Sequence, residues 1–452
     1  MPETRYWLAD PPVEPEQPRA QPAFPVEAIR RDFPILHREV NGRPLIWLDN
    51  AATTQKPEQV IEAVSEFYAA HNSNVHRGAH SMARRATEQY EEARAAVAAF
   101  LGAGGPEEIV FVRGTTEAIN LVAQSWGRSN VCTGDEIVLT TLEHHANIVP
   151  WQMLADDKRA RLMVVPLDER GGVDMAAYED LLSSRTKLVA LSHASNVLGT
   201  VPPVKEMTAL AHRYGARVLV DGAQAVGHFP VDVTDLGADF YAFSGHKLFA
   251  PTGIGALFGK SELLEQMAPW QGGGNMIDRV DFDHTTYAAP PHRFEAGTGH
   301  IAGAVGLRAA LEYVTAVGRD AIAGYEDWLT GYAMAALGAI PGITQLGTMP
   351  DKIGVLAFLS DRASPEAIAA QLDAVGIQVR AGHHCAQPTL RHFGAESAAR
   401  PSLSLYNTRE EVDELVSTLS AHLEQSEPSV LNVAGWGSER ATSNDDGRGR
   451  PA

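Results

Sequence analysis

Two residues in the middle of the chain have the types and spacing to act on one small molecule. Asp221 closes the apolar run Val218-Leu219-Val220, and Lys247 follows 26 positions later, just past the next apolar run. A carboxylate at the end of a buried strand is costly unless a cation or hydrogen-bond donors meet it, and a lysine after the neighbouring strand reaches the same crevice. Alone, such a pair is more often a structural ion pair than a cofactor site. Its neighbours reverse that balance. Arg113-Gly114-Thr115-Thr116-Glu117 lies at a strand-to-helix junction, where free amides and the hydroxyls of Thr115 and Thr116 make an anion cradle, although by themselves they read as an ordinary helix cap. Ser244 and His246 precede Lys247. Phosphate donors, an amine and a carboxylate in one crevice match the requirements of pyridoxal 5'-phosphate, with Lys247 forming the Schiff base and Asp221 holding the pyridine nitrogen protonated.

Only two cysteines occur, Cys132 and Cys385, too few for a disulfide framework or a zinc knuckle. Cys385 sits in Gly382-His383-His384-Cys385-Ala386 with Arg380 five positions earlier. Basic neighbours favour the thiolate, so a nucleophile is expected there rather than a buried structural thiol. Cys132 lies in a turn with no basic residue closer than Arg128 and reads as structural or incidental. His144-His145 and His383-His384-Cys385 offer metal-ligand types, but successive side chains in extended structure point to opposite faces, so no metal is expected.

Nine ordered motifs then carry a resemblance. They are Leu48-Asp49-Asn50-Ala51-Ala52-Thr53-Thr54, Asn74-Val75-His76-Arg77-Gly78, the stretch 113–120, Glu143-His144-His145-Ala146-Asn147, and Ser195-Asn196-Val197-Leu198-Gly199-Thr200. The remainder are Asp221-Gly222-Ala223-Gln224, Ser244-Gly245-His246-Lys247, Arg293-Phe294-Glu295-Ala296-Gly297-Thr298 and the stretch 380–386. Across residues 26–424 the chain resembles the SufS-type cysteine desulfurases, class V members of the fold-type I pyridoxal phosphate enzymes.

The resemblance implies that His144 stacks on the cofactor ring and Gln224 hydrogen-bonds its phenolic oxygen. Thr116, Ser244 and His246 would hold the phosphate, with Thr298 reaching across from the partner subunit of a homodimer. Asn196 and Arg400 would orient the substrate carboxylate, and Arg380 would line the pocket near Cys385. Lys247 would take the Cα proton of L-cysteine, and the Cys385 thiolate would capture the substrate sulfur as a persulfide while alanine departs. That sulfur would feed iron–sulfur cluster assembly through an acceptor of the SufE or SufU kind. The alternatives are a selenocysteine lyase, which runs the same chemistry without needing the cysteine, and an inactive sulfur-relay scaffold.

The elements that must position these groups are legible as alternating patterns. Strands are expected at 45–50, 108–112, 136–140, 161–167, 187–193, 217–222 and 239–243, and helices at 57–70, 84–101, 116–126 and 204–214. Strands separated by helices predict an α/β fold with a mostly parallel central sheet, whose ligands gather at the carboxyl ends of the strands. After a helix at 302–315, a smaller α+β unit is expected, with helices at 322–337, 365–374 and 410–424 and strands at 355–359 and 376–379. The expected division is a tail at 1–25, a small-domain segment at 26–44, a large cofactor domain at 45–317, a small domain at 318–424 and a second tail at 425–452. The first tail carries seven of the 27 prolines and an apolar cluster, Tyr6-Trp7-Leu8, that could pack on its own domain or dock into a protein shell of the encapsulin kind.

The whole is 452 residues with 44% apolar and 21% charged residues, which excludes bulk disorder and coiled coil. A formal charge of −19, from 37 basic and 56 acidic residues, repels nucleic acid and anionic membrane surfaces, so neither is an expected partner. No apolar run reaches a membrane span and no signal pattern opens the chain, so a soluble cytoplasmic protein is expected.

Overall fold

The computed structural model describes residues 20–76 and 78–425. Tyr6-Trp7-Leu8, Arg77 and the expected tail beyond Gln425 lie outside them, and with them the shell-docking expectation.

A seven-stranded sheet forms the centre. In chain order its strands are β1 Ile109–Val112, β2 Glu136–Thr140, β3 Arg161–Val165, β4 Thr186–Ser192, β5 Arg217–Asp221, β6 Phe240–Ser244 and β7 Gly255–Gly259. They lie in the order β1-β7-β6-β5-β4-β2-β3, all parallel except β7, which runs antiparallel to both neighbours. The sequence reading missed β7, because Gly-Ala-Leu-Phe-Gly has glycine at each end and too few residues between to show a period. The expected strand at 45–50 is absent from this sheet. Its core, Ile46–Trp47, pairs instead in parallel with Ile377–Gln378 of the C-terminal unit.

Both faces of the sheet are covered, as its near-continuous apolar strands require. Ile109 and Phe111 face the layer built by helix α1, Ser81–Leu101, whereas Val110 and Val112 face helix α2, Thr115–Val122, with Trp126 and Trp151. Helix α3, Ile301–Val317, packs beside α1 and leads through Gly318 into α4, Arg319–Gly338. The C-terminal unit holds a four-stranded antiparallel sheet, Ile343–Gln345, Phe358–Ser360, Ala398–Arg400 and Arg380–Gly382 in that spatial order. Two of its helices begin on strong caps: Ser364 accepts from the Ala367 amide with Pro365 following, and Thr408 with Glu411 forms a capping box. The chain is packed from Phe24 onward, ahead of the expected boundary, because that ring stacks on Tyr325 with centroids 4.4 Å apart. No single described helix is long and apolar enough to cross a membrane. The pair α3 and α4 passes on length and composition together but is bent by 74° and contributes many residues to the core.

One buried ion pair ties the layers together. Arg94, in the middle of α1, donates to both oxygens of Glu295 at 2.5 and 3.0 Å and to the Ile109 carbonyl, while Glu295 also accepts from the Phe111 amide. Helix, edge strand and the segment leading to Thr298 therefore share one guanidinium. Removing Glu295 leaves the buried Arg94 with Glu91 of its own helix as its remaining counter-charge and the Phe111 amide without its acceptor, so Glu295→Ala should lower unfolding stability by about 3 kcal/mol. Urea unfolding followed by far-UV circular dichroism checks this, with Arg293→Ala nearby as the milder comparison.

Candidate active site

The carboxyl ends of β4, β5 and β6 open into a cavity of about 220 Å³. Its lining includes Thr115, Thr116, His144, Asn196, Asp221, Gln224, Ser244, His246, Lys247, Arg380, Cys385 and Arg400. The structure thus brings together every expected site residue but one. Thr298 does not line the cavity of its own chain; its hydroxyl is 3.5 Å from Asn74 Oδ1 near the surface.

Lys247 ends a short turn directly after β6, and Asp221 is the last residue of β5. Burial pushes the Lys247 amine down to about 8, with attraction to Asp221 opposing the fall. Burial pushes the Asp221 carboxyl up, opposed by the Ala223 amide, which donates to Oδ1 at 2.9 Å, and by Lys247. Asp221 is kept in place partly by the absence of a side chain beside it. A Cβ on Gly222 would come within 2.2 Å of the buried Tyr241 ring.

On the other side of the cavity, the Thr115 amide and hydroxyl both lie 2.9 Å from Ser244 Oγ, at the first turn of α2. Two hydroxyls and the first amides of α2 therefore meet where the sequence reading expects an anion cradle. Gln224 donates to the Ala51 carbonyl at 2.7 Å. His144 is held neutral, burial and Lys247 lowering it to about 3, and its Nδ1 accepts from the Ala146 amide.

Several positioning groups escaped residue-level notice. Glu143 is wholly buried and pushed up to about 7 by burial, even though Thr140, Ser192 and Asn147 all donate to it. It fastens the turn carrying His144 to the end of β4. Asp49 binds two guanidiniums at once: Arg400 at 2.9 Å on one oxygen and Arg380 at 3.0 Å on the other. Arg400 also donates to the Asn196 carbonyl, and the Asn196 amide donates to the His384 carbonyl. Burial lowers Arg400 to about 10 against the pull of Asp49. One carboxylate facing two guanidiniums leaves a net positive charge for one more. Asp49 and Glu143 stand inside quoted motifs, and an acid beside a catalytic-looking histidine or ahead of Asn-Ala-Ala was the available signal.

Cys385 is exposed on a tight loop between the strand Arg380–Gly382 and the short helix Gln387–His392. His384 and Cys385 both adopt left-handed backbone, φ 52° and 54°, a conformation costing non-glycine residues on the order of 1 kcal/mol each. Besides the Asn196 bond to the His384 carbonyl, three contacts hold it: His384 Nε2 donates to the Ala398 carbonyl, the Cys385 amide donates to His383 Nδ1, and the Cys385 carbonyl accepts from the His145 amide. Ligand types that are adjacent in sequence point to opposite faces. In three dimensions His145 arrives from a separate loop and joins His383 and Cys385.

Residues 46–415 match the family described as aminotransferase class-V. The chain is 58% identical over 396 residues to a cysteine desulfurase of Synechococcus elongatus, covering 88% of this chain and 63% of that one. It therefore spans under two thirds of that relative's length. A cysteine desulfurase of Escherichia coli is 52% identical over 397 residues, covering 88% of this chain and 98% of its own. Among solved structures, the E. coli cysteine desulfurase CsdA (S-sulfonic acid) superposes with a TM-score of 0.83 at 41% identity, covering 90% of this chain and 100% of that one. A lysine variant of C-DES with glycine covalently linked to its pyridoxal phosphate superposes at 0.75 with 25% identity, covering 86% and 98%.

Gly222→Ala is expected to force the Tyr241 ring and Asp221 apart at a destabilisation of about 1–3 kcal/mol. It should also lower affinity for pyridoxal 5'-phosphate, measured by fluorescence titration. A variant with wild-type stability and affinity would contradict the close contact.

Proposed function

The chain belongs to the class-V aminotransferase family, and we propose that it is a pyridoxal 5'-phosphate-dependent cysteine desulfurase. In this reading it takes sulfur from L-cysteine as a persulfide on Cys385, releases L-alanine and supplies iron–sulfur cluster assembly. The observation that carries it is the convergence of Lys247, Asp221 and the Cys385 loop on one cavity.

The residues present suit the cofactor. A buried carboxylate with one amide partner fits a protonated ring nitrogen, the Thr115–Ser244 cradle with Thr116 and His246 fits a phosphate, and the flat neutral ring of His144 fits an aromatic face. When bound, pyridoxal phosphate supplies an electron sink for the substrate Cα. Lys247, lowered toward neutrality, takes and returns the Cα proton. Arg400 and Arg380, together only half neutralised by Asp49, hold the substrate carboxylate with Asn196. The Cys385 thiolate attacks the substrate sulfur: a new S–S bond forms, the Cβ–S bond breaks, and its electron pair stays on the carbon skeleton, which is protonated to alanine.

The reading includes a homodimer, supported by Thr298 lying outside the cavity of its own chain while its assigned phosphate role needs a nearby one. It also includes a protein acceptor of the SufE or SufU kind. The short loop leaves Cys385 exposed yet tied at three points, which suits a visiting thiol better than a long swing.

Incubation with L-cysteine followed by intact-mass and product analysis should show one added sulfur at Cys385 and release of alanine. Cys385→Ala should abolish cysteine turnover. Retained activity of that variant on selenocysteine alone supports the desulfurase reading, whereas unchanged turnover of cysteine would overturn the nucleophile assignment and favour the selenocysteine lyase. Lys247→Ala should lose the visible absorbance of the reconstituted protein; a colourless wild type after reconstitution would favour the scaffold reading.

The lowered amine gives a pH expectation. With a pKa of about 8 rather than the usual ~10.4, about half the Lys247 amines are free at pH 8. Covalent capture of pyridoxal phosphate by the cofactor-free protein, trapped with borohydride, should therefore rise steeply between pH 7 and 8 and level off above 9. A rise that continues past pH 10 would show an unperturbed lysine.

A further inference from the structure

His145 and His383 form a cluster with the cavity-lining Cys385, and the desulfurase reading uses neither imidazole. One potential ligand atom from each lies within 4.8 Å of the other two. The two imidazoles stack with centroids 5.7 Å apart and planes 27° off parallel. They come from different loops, which are joined where the His145 amide donates to the Cys385 carbonyl at 2.8 Å.

The hydrogen bonds on the rings fix where their lone pairs point. His383 Nδ1 accepts from the Cys385 amide at 3.0 Å, and His145 Nε2 accepts from the Gln387 amide at 3.3 Å. A neutral imidazole that accepts at one nitrogen carries its proton on the other. Both rings therefore turn an unprotonated nitrogen toward the 385–387 loop and keep their N–H away from it, the state a metal ligand needs. Asp49 offsets one of the two charges of the nearby Arg380 and Arg400 guanidiniums, which lessens but does not remove their repulsion of a cation. A second group of ligand types, His76, Glu91 and His292, lacks that condition, because Arg94 lies 2.9 Å from Glu91 and occupies the charge a cation would seek.

We propose that Cys385, His145 and His383 bind a thiophilic divalent cation, Zn²⁺ in the first instance, which reversibly caps the nucleophile. Coordination forms a sulfur–zinc bond as the thiol proton leaves to solvent, with no change of oxidation state. Zinc bonds of about 2.3 Å to sulfur and about 2.0–2.1 Å to nitrogen need ligand atoms some 3.3–3.7 Å apart. Small side-chain rotations close that gap, and the two amide contacts on the rings are exchanged for coordination. Cys385 and His383 are both exposed, so the fourth position opens to solvent and can hold water or a donor from a partner. Zinc and substrate sulfur would compete for the same thiolate.

The test uses the full-length holoenzyme stripped of metal and titrated with Zn²⁺ against a chromophoric chelator. One zinc per chain is expected, with X-ray absorption at the zinc edge showing one sulfur and two imidazole neighbours. Zinc should also slow iodoacetamide alkylation of Cys385, mapped by peptide mass, and a chelator should restore it. His383→Ala changes only an exposed side chain and should weaken zinc binding by roughly 10- to 100-fold and abolish the protection; His145→Ala should do the same. Cys132→Ser should leave zinc affinity unchanged. Coordination without sulfur, or affinity and protection unaltered in His383→Ala, would overturn the proposal. None of these readouts depends on turnover, so the site stands or falls separately from the desulfurase reading.

Discussion

Holding an amine and a carboxylate away from water in one cavity is the constraint on which the rest of the molecule turns. Asp221 and Lys247 are each pushed by desolvation toward their neutral forms, and each is the main opposing influence on the other or close to it. Such a pair is poor material for stability, since burial penalties rival or exceed the attraction between the charges. It makes sense as a site kept ready for a bound group that itself carries complementary charge. The large sheet exists to make that arrangement rigid: both residues stand at the carboxyl ends of adjacent parallel strands whose flanks are solidly apolar.

Around that pair, the fold repeatedly uses one acid to fix several partners. Glu295 joins a helix, an edge strand and a loop; Glu143 anchors the turn bearing His144; Asp49 bridges two guanidiniums. Each is a point where segments distant in sequence are registered to one another with charge-assisted bonds, which are shorter and more directional than packing contacts. The precision of the cavity therefore depends on residues that would not touch a substrate.

How much of this was legible in the sequence follows from how local each feature is. The parallel strands and amphipathic helices announce themselves by period, and helix 365–374 coincides with its expected limits because Ser364 and Pro365 mark its start. Most of the cavity residues were legible because they sit in motifs, many of them just past a strand end, whereas Arg400 stands outside those motifs and was implied by the resemblance alone. What stayed hidden is what depends on chain segments meeting. The short 46–47 strand looks like a first strand of the large sheet, yet it pairs with 377–378 because pairing partners are chosen by topology, not by composition. Strand β7 is too short and glycine-bounded to show alternation. The approach of His145 to His383 spans more than two hundred residues, and no spacing rule applied to neighbours could foresee it.

The antiparallel pair that carries Arg380 and Arg400 sets these two directly opposite each other, and the loop bearing Cys385 opens the connection between them, ahead of the short helix Gln387–His392. Since side chains alternate across a strand, a slip of one residue in that ladder would turn a guanidinium out of the cavity. The loop itself lies beyond the ladder and is free of that restriction. The placement of the two guanidiniums and the length of the segment bearing Cys385 are thus separable: insertions between the strands can lengthen or shorten that segment while the guanidinium pair stays in place.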